Sequence, residues 1–136
     1  MRSFGVALLA TLLLSAFAGS ASAQRNAEGV LRAPGGDPIL GNFVFTAKGE
    51  HVAVEDTHVD GWSILVEVWI RGKLSRTCWD RNGAGIGYRD CNFSIAEGTP
   101  LTLYIAQAHY PSCRHKGSPS SGCKKNHWAG PFHAVA

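Results

Sequence analysis

"GWSILVEVWI", Gly61 to Ile70, decides the fold class. Trp62, Ile64, Val66, Val68 and Ile70 recur at every second position, so an extended chain places all five on one face. The opposite face, with Ser63, Leu65, Glu67 and Trp69, is mixed. Stiff β-branched side chains pack well on a pleated surface. The stretch predicts a strand whose regular face, Trp62 included, lines the interior between two sheets.

The segments on either side repeat this texture. Upstream, "NFVFTA" pairs Phe43 with Phe45 and "EHVAVE" pairs Val52 with Val54. Downstream, a short turn at Arg71-Gly72 leads into "KLSRTCW", then "GYRDCNFSI", a turn at "AEGTP", "LTLYIAQA" and "GPFHAVA" with Phe132, Ala134 and Ala136 in step. No stretch has a 3.6-residue apolar period. About seven short strands divided by turn residues predict an all-β fold, an antiparallel two-sheet sandwich over residues 42–136. A small β-barrel is the alternative, because counting strands does not show closure.

Ahead of the strands, "QRNAEGVLRAPGGDPILG" has turn signals and neither apolar period. Residues 24–41 read as a flexible N-terminal arm, with Val30, Leu31, Arg32, Ile39 and Leu40 as residues apt to dock on a partner. Residues 1–23 carry Arg2, an apolar run and a small-residue ending at Ala21 and Ala23, the pattern of a cleavable secretory signal. That run is shorter than the ~20 apolar residues of a spanning helix, so no membrane span is expected. The expected location is extracellular.

Thirteen basic against ten acidic residues give a formal charge of +3, too mild to argue for nucleic acid. Glu97 is the last acidic residue; beyond it lie Arg114, Lys116, Lys124, Lys125 and four histidines. This basic end favours contact with an anionic surface.

Four cysteines in an exported chain imply two disulfides with three connectivities open, and spacing favours Cys78–Cys91 and Cys113–Cys123. The first pair brackets "CWDRNGAGIGYRDC". The spacing G-x-G-x-G with a strand after it is not a dinucleotide fingerprint, and the cysteines lack zinc spacing. The expectation is a hairpin clamped shut, Thr77 facing Asn92, with facing Cα atoms ~4.5 Å apart. The second pair brackets the basic loop "CRHKGSPSSGC", where Arg114 and Lys116 are candidate contact residues.

Other chemistry is sparse. Asp56, Asp60, Gly61 and Glu67 match part of a calcium-loop template, but His58 stands where an oxygen ligand belongs and a strand follows. A polar turn is the default there, and no metal or cofactor is expected. Glu67, Arg89 and His109 are the residue types of a small ribonuclease, yet nothing in the sequence places them together. No catalytic residue is assigned. Trp69 and Trp79 fall on irregular faces and are candidate interface aromatics.

The succession "DGWSILVEVWIRGKLSRTCWDRNGAGIGYRDCNFSIAEGT", then the second cysteine pair, a tryptophan and a short last strand, resembles small secreted proteins of actinobacteria from Phe43 to the C-terminus. More narrowly, the chain is similar to the adaptor subunit of bacterial umbrella toxin particles. That resemblance implies a small exported β-rich protein joining a repeat-bearing stalk to lectin-bearing subunits. Its N-terminal arm, here residues 24–41, would insert into a partner related to trypsin-like proteases. The expected function is that of an exported, non-enzymatic binding or adaptor protein engaging another secreted protein. A secreted protease inhibitor and a small hydrolase or ribonuclease are the alternatives.

Overall fold

The computed structural model describes residues 23–109 and 123–136. Residues 1–22 of the expected signal segment, and Cys113, Arg114 and Lys116, lie outside the described residues. Those described form strands and turns without a helix, so none is long and apolar enough to cross a membrane.

Among the described residues eight strands run in chain order: β1 (Ala27–Arg32), β2 (Ile39–Thr46), β3 (His51–Asp56), β4 (Ser63–Ile70), β5 (Lys73–Asp80), β6 (Arg89–Asn92), β7 (Pro100–Ala108) and β8 (Lys125–Val135). They build two antiparallel four-stranded sheets, ordered β1-β2-β3-β6 and β5-β4-β7-β8. The protein is a β-sandwich. Ile64, Val66 and Val68 of β4 face Phe43, Phe45, Val52 and Val54 in one core, completed by Leu101, Leu103 and Ile105 of β7. Trp62 departs from the phase-based expectation. It precedes β4 and is half-buried against the His109 ring at 5.6 Å, outside the main core.

The expected arm is built into the fold. Residues 27–32 are β1, paired with β2 from Ala27↔Phe45 to Arg32↔Ile39, and residues 39–41 already belong to β2. Leu31 and Leu40 are core residues, unavailable for docking, whereas Val30, Arg32 and Ile39 are exposed. The alternation of β1 escapes a sequence reading because Gly29 fills an inward position. A Cβ there would lie 2.4 Å from the Phe43 ring and 2.6 Å from the Phe132 ring. The site needs the absence of a side chain, so it carries no apolar signal.

The hairpin expected between Cys78 and Cys91 is also corrected. The bond is present, with Cα atoms 5.8 Å apart, but it joins two sheets. Cys78 lies on β5 beside Val66, and Cys91 lies on β6 beside Val52 of β3. The connection from 81 to 88 is long enough to cross from one sheet to the other, and the disulfide fastens the β5/β6 seam. At the opposite seam, Arg25 and Val135 exchange backbone hydrogen bonds of 2.9 and 3.0 Å, and Phe43 packs edge-on against Phe132 at 5.3 Å. Cys123 is also disulfide-bonded.

Candidate functional site

Strand direction collects the connections at one end. The ladder Arg32↔Ile39, Gly41↔Asp56, Val54↔Arg89, Ile64↔Asp80, Ser63↔Ala108 and Ala108↔Lys125 brings the 33–38 turn, the 57–62 loop, the 81–88 loop, the end of β7 and the start of β8 to the same edge of both sheets. Loops gathered on a rigid sandwich are a common place for recognition.

Carboxylates fix the bases of these loops. Asp80, fully buried, accepts the Asp56 N–H at 2.9 Å on one oxygen and the Asn82 N–H at 3.0 Å on the other, tying β3 to the start of the glycine loop. Asp56 accepts the His58 N–H at 3.1 Å. Asp60 accepts the Trp62 N–H at 2.8 Å and the Gln107 amide at 2.5 Å, and Gln107 in turn accepts from Asn126 at 3.1 Å. Two of the acidic residues of the calcium-like segment therefore brace loops. The third, Glu67, lies away on the outer side of β4, itself buried, paired with Lys125 and accepting the Trp69 indole N–H at 3.0 Å. Among the described residues no group of three or more His, Cys, Asp or Glu side chains is placed to hold a metal.

Burial raises the Asp56 carboxyl above the ordinary carboxylate pKa, with the Asp60 and Asp80 charges pushing the same way. The His58 backbone bond and the His58 ring act against this rise.

Above these braced bases the loop tips are apolar. Val59 is 86% exposed, Ile86 68% and Tyr88 54%. Gly83, Gly85 and Gly87 all take positive φ, which lets the 81–88 loop bend sharply while displaying Ile86 and Tyr88. The outer face of the β5-β4-β7-β8 sheet carries an aromatic row that runs from near this end, at Trp128 opposite Ala106, to the far end, at Trp69 opposite Thr102 and Leu74. Trp69, Tyr104 and Trp128 stand edge to face, with centroids 6.2 and 6.0 Å apart, and Trp128 is 66% exposed. Trp79 sits in register with Leu65, Ala106 and Trp128 across the four strands. By contrast, the solvent face of β1-β2-β3-β6 carries polar pairs such as Asn42–Glu55 and His51–Asp90.

A cavity of about 400 Å3 opens where β5 meets β6, lined by Thr77, Trp79, Arg81, Asn82, Arg89 and Cys91.

Of the residues chosen from sequence, Arg32 and Ile39 reach the loop end, Trp79 lines the cavity and Trp69 joins the aromatic row. Val30 lies on the solvent side of β1. The ribonuclease trio is dispersed: Glu67 and Arg89 belong to different sheets, and His109 follows β7 with its ring against Trp62. Sequence reasoning missed Val59, Ile86 and Tyr88, and passed over Trp128 in favour of Trp69 and Trp79. An isolated apolar residue inside a polar, glycine-rich loop was the available signal for the first three.

Fold and site thus define a disulfide-fastened β-sandwich with a braced loop end and an aromatic flank. Comparison with protein-family models, characterised proteins and solved structures found no match.

Proposed function

We propose that this chain is an exported, non-enzymatic binding protein that captures another secreted protein through its loop end, as an adaptor would. The observation that carries the reading is the exposure of Val59, Ile86 and Tyr88 on two neighbouring loops whose bases are pinned by Asp56, Asp60 and Asp80. Apolar tips on pre-ordered loops lose little conformational entropy on binding, and such anchors dominate interface energetics. Trp128 and Tyr104 extend the surface onto the sheet. An adaptor role in a toxin particle fits the resemblance, but its mode of contact changes here. Residues 27–32 are held in a sheet, so the loop end replaces the inserting arm.

The test uses a partner recovered from culture medium and purified. Ile86→Ser together with Tyr88→Ser should weaken its binding by at least about 1.4 kcal/mol, a factor of ten, with an unchanged melting temperature. Val44→Ser, on the solvent face of β2, should bind as the parent does. Equal affinity for the double variant would remove the loop end from the interface.

A further inference from the structure

The 81–88 loop carries the single Asn-Gly pair of the sequence, Asn82-Gly83. In such a pair the following backbone nitrogen can attack the side-chain amide with little hindrance, because glycine has no Cβ and turns freely. Whether a folded chain permits the attack depends on how firmly the two groups are held. Asn82 is exposed, and Asp80 holds its backbone N–H at 3.0 Å, while its side-chain amide makes no hydrogen bond to a described residue. Gly83 has φ +81°, its N–H takes no part in the backbone hydrogen bonds of the described loops, and a Cβ on it would meet nothing within 4 Å. Neither reacting group is tied down.

Asp60-Gly61, the single Asp-Gly pair, provides the contrast. It can close the same ring with loss of water, and Gly61 is as open as Gly83, with φ +78° and nothing within 4 Å of a Cβ. Here, however, the reactive carboxylate is itself the brace. One Asp60 oxygen holds the Trp62 N–H at 2.8 Å and the other the Gln107 amide at 2.5 Å, so swinging it onto the Gly61 nitrogen breaks both bonds. In the 81–88 loop the bracing carboxylate belongs to Asp80, and it stays in place while Asn82 reacts.

We propose that Asn82 is a site of spontaneous modification, converting to aspartate and isoaspartate through a succinimide. The Gly83 nitrogen gives its proton to solvent base and bonds to Asn82 Cγ. The Cγ–Nδ2 bond breaks, and the side-chain nitrogen takes up a proton and leaves as ammonia. Water then opens the ring at either carbonyl. The net change consumes a water and releases an ammonia, with no oxidation or reduction. One opening gives aspartate; the other gives isoaspartate, whose backbone runs through Cγ and is longer by a carbon. Either product sets a new carboxylate at the foot of the loop that displays Ile86 and Tyr88.

The experiment ages the intact protein in mildly alkaline buffer beside synthetic peptides of residues 80–88 and 46–62, which chymotrypsin also releases from the chain by cutting after Phe45, Trp62, Trp79 and Tyr88. Isoaspartate is read by isoaspartyl methyltransferase labelling, and deamidation by the mass gained when NH2 becomes OH. Asn82 in the folded protein should convert within about tenfold of its rate in the 80–88 peptide, whereas Asp60 should convert at least about tenfold more slowly than in the 46–62 peptide. Asn82→Gln, which requires a larger ring, should lose the labelling of residues 80–88. The proposal falls if folded Asn82 lags its peptide by more than that factor, if labelling survives Asn82→Gln, or if folded Asp60 keeps pace with its peptide. Weaker partner capture by aged molecules is a consequence that rests on the proposed function; isoaspartate formation does not, so either can fail while the other stands.

Discussion

At the scale of single residues, the buried carboxylates beneath the loops set both stability and its pH dependence. Asp56 has a folded pKa above its unfolded value of ~3.9, so between the two the native state holds a proton that the unfolded chain has released. Its contribution to stability therefore declines as pH rises through that window and stays low above it. Asp56→Asn keeps an oxygen for the His58 N–H and removes the buried charge. Denaturant unfolding should show the variant more stable than the parent at pH 7, with less loss between pH 4 and pH 7. A variant weaker than the parent at pH 7 would contradict this account. Asp80 has the opposite role, since it is itself buried and the amides of Asp56 and Asn82 depend on it. Asp80→Ala should cost about 3 kcal/mol in the same measurement.

Among the elements, β8 shows why sequence reading reaches the fold before the site. Phe132, Ala134 and Ala136 were legible as one inward face, and carrying that phase backwards turns Trp128 inward as well. A bulge intervenes. Leu103 pairs with Phe132 and Ile105 with Ala129, so Gly130 and Pro131 together stand opposite Tyr104, and Trp128 emerges on the solvent side. Gly130 has φ +136°, and a Cβ on it would lie 2.8 Å from the Tyr104 ring and 2.9 Å from the Leu103 carbonyl oxygen. Gly130→Ala should destabilise the protein by roughly 2–4 kcal/mol and disturb the Tyr104–Trp128 contact, measurable by unfolding and by tryptophan fluorescence. An unchanged fluorescence spectrum and midpoint would refute the role given to this glycine. Period-two patterning declared β2, β3, β4 and β7 because each repeats on one face over several residues. It missed β1, where Gly29 stands in an inward position. It also misplaced the partner of β6, since spacing between cysteines says how far apart they are along the chain and nothing about which sheet each strand joins.

For the molecule as a whole, the sandwich is closed by unlike seams, hydrogen bonds and ring packing at Arg25, Val135 and Phe132, and a covalent bond at Cys78 and Cys91. The bond spans 13 residues of sequence, which on the chain-entropy view is worth ~3 kcal/mol. Cys78→Ser with Cys91→Ser should lose about that much in denaturant unfolding, and an unaltered stability would show that packing alone holds the seam. The same bond anchors the 81–88 loop at both of its feet, and that loop supplies Ile86, Tyr88, Arg81 and Asn82. The bond is thus a tether as well as a clasp: whatever loosens that margin of the sandwich also loosens the footing from which Ile86 and Tyr88 are held out to solvent.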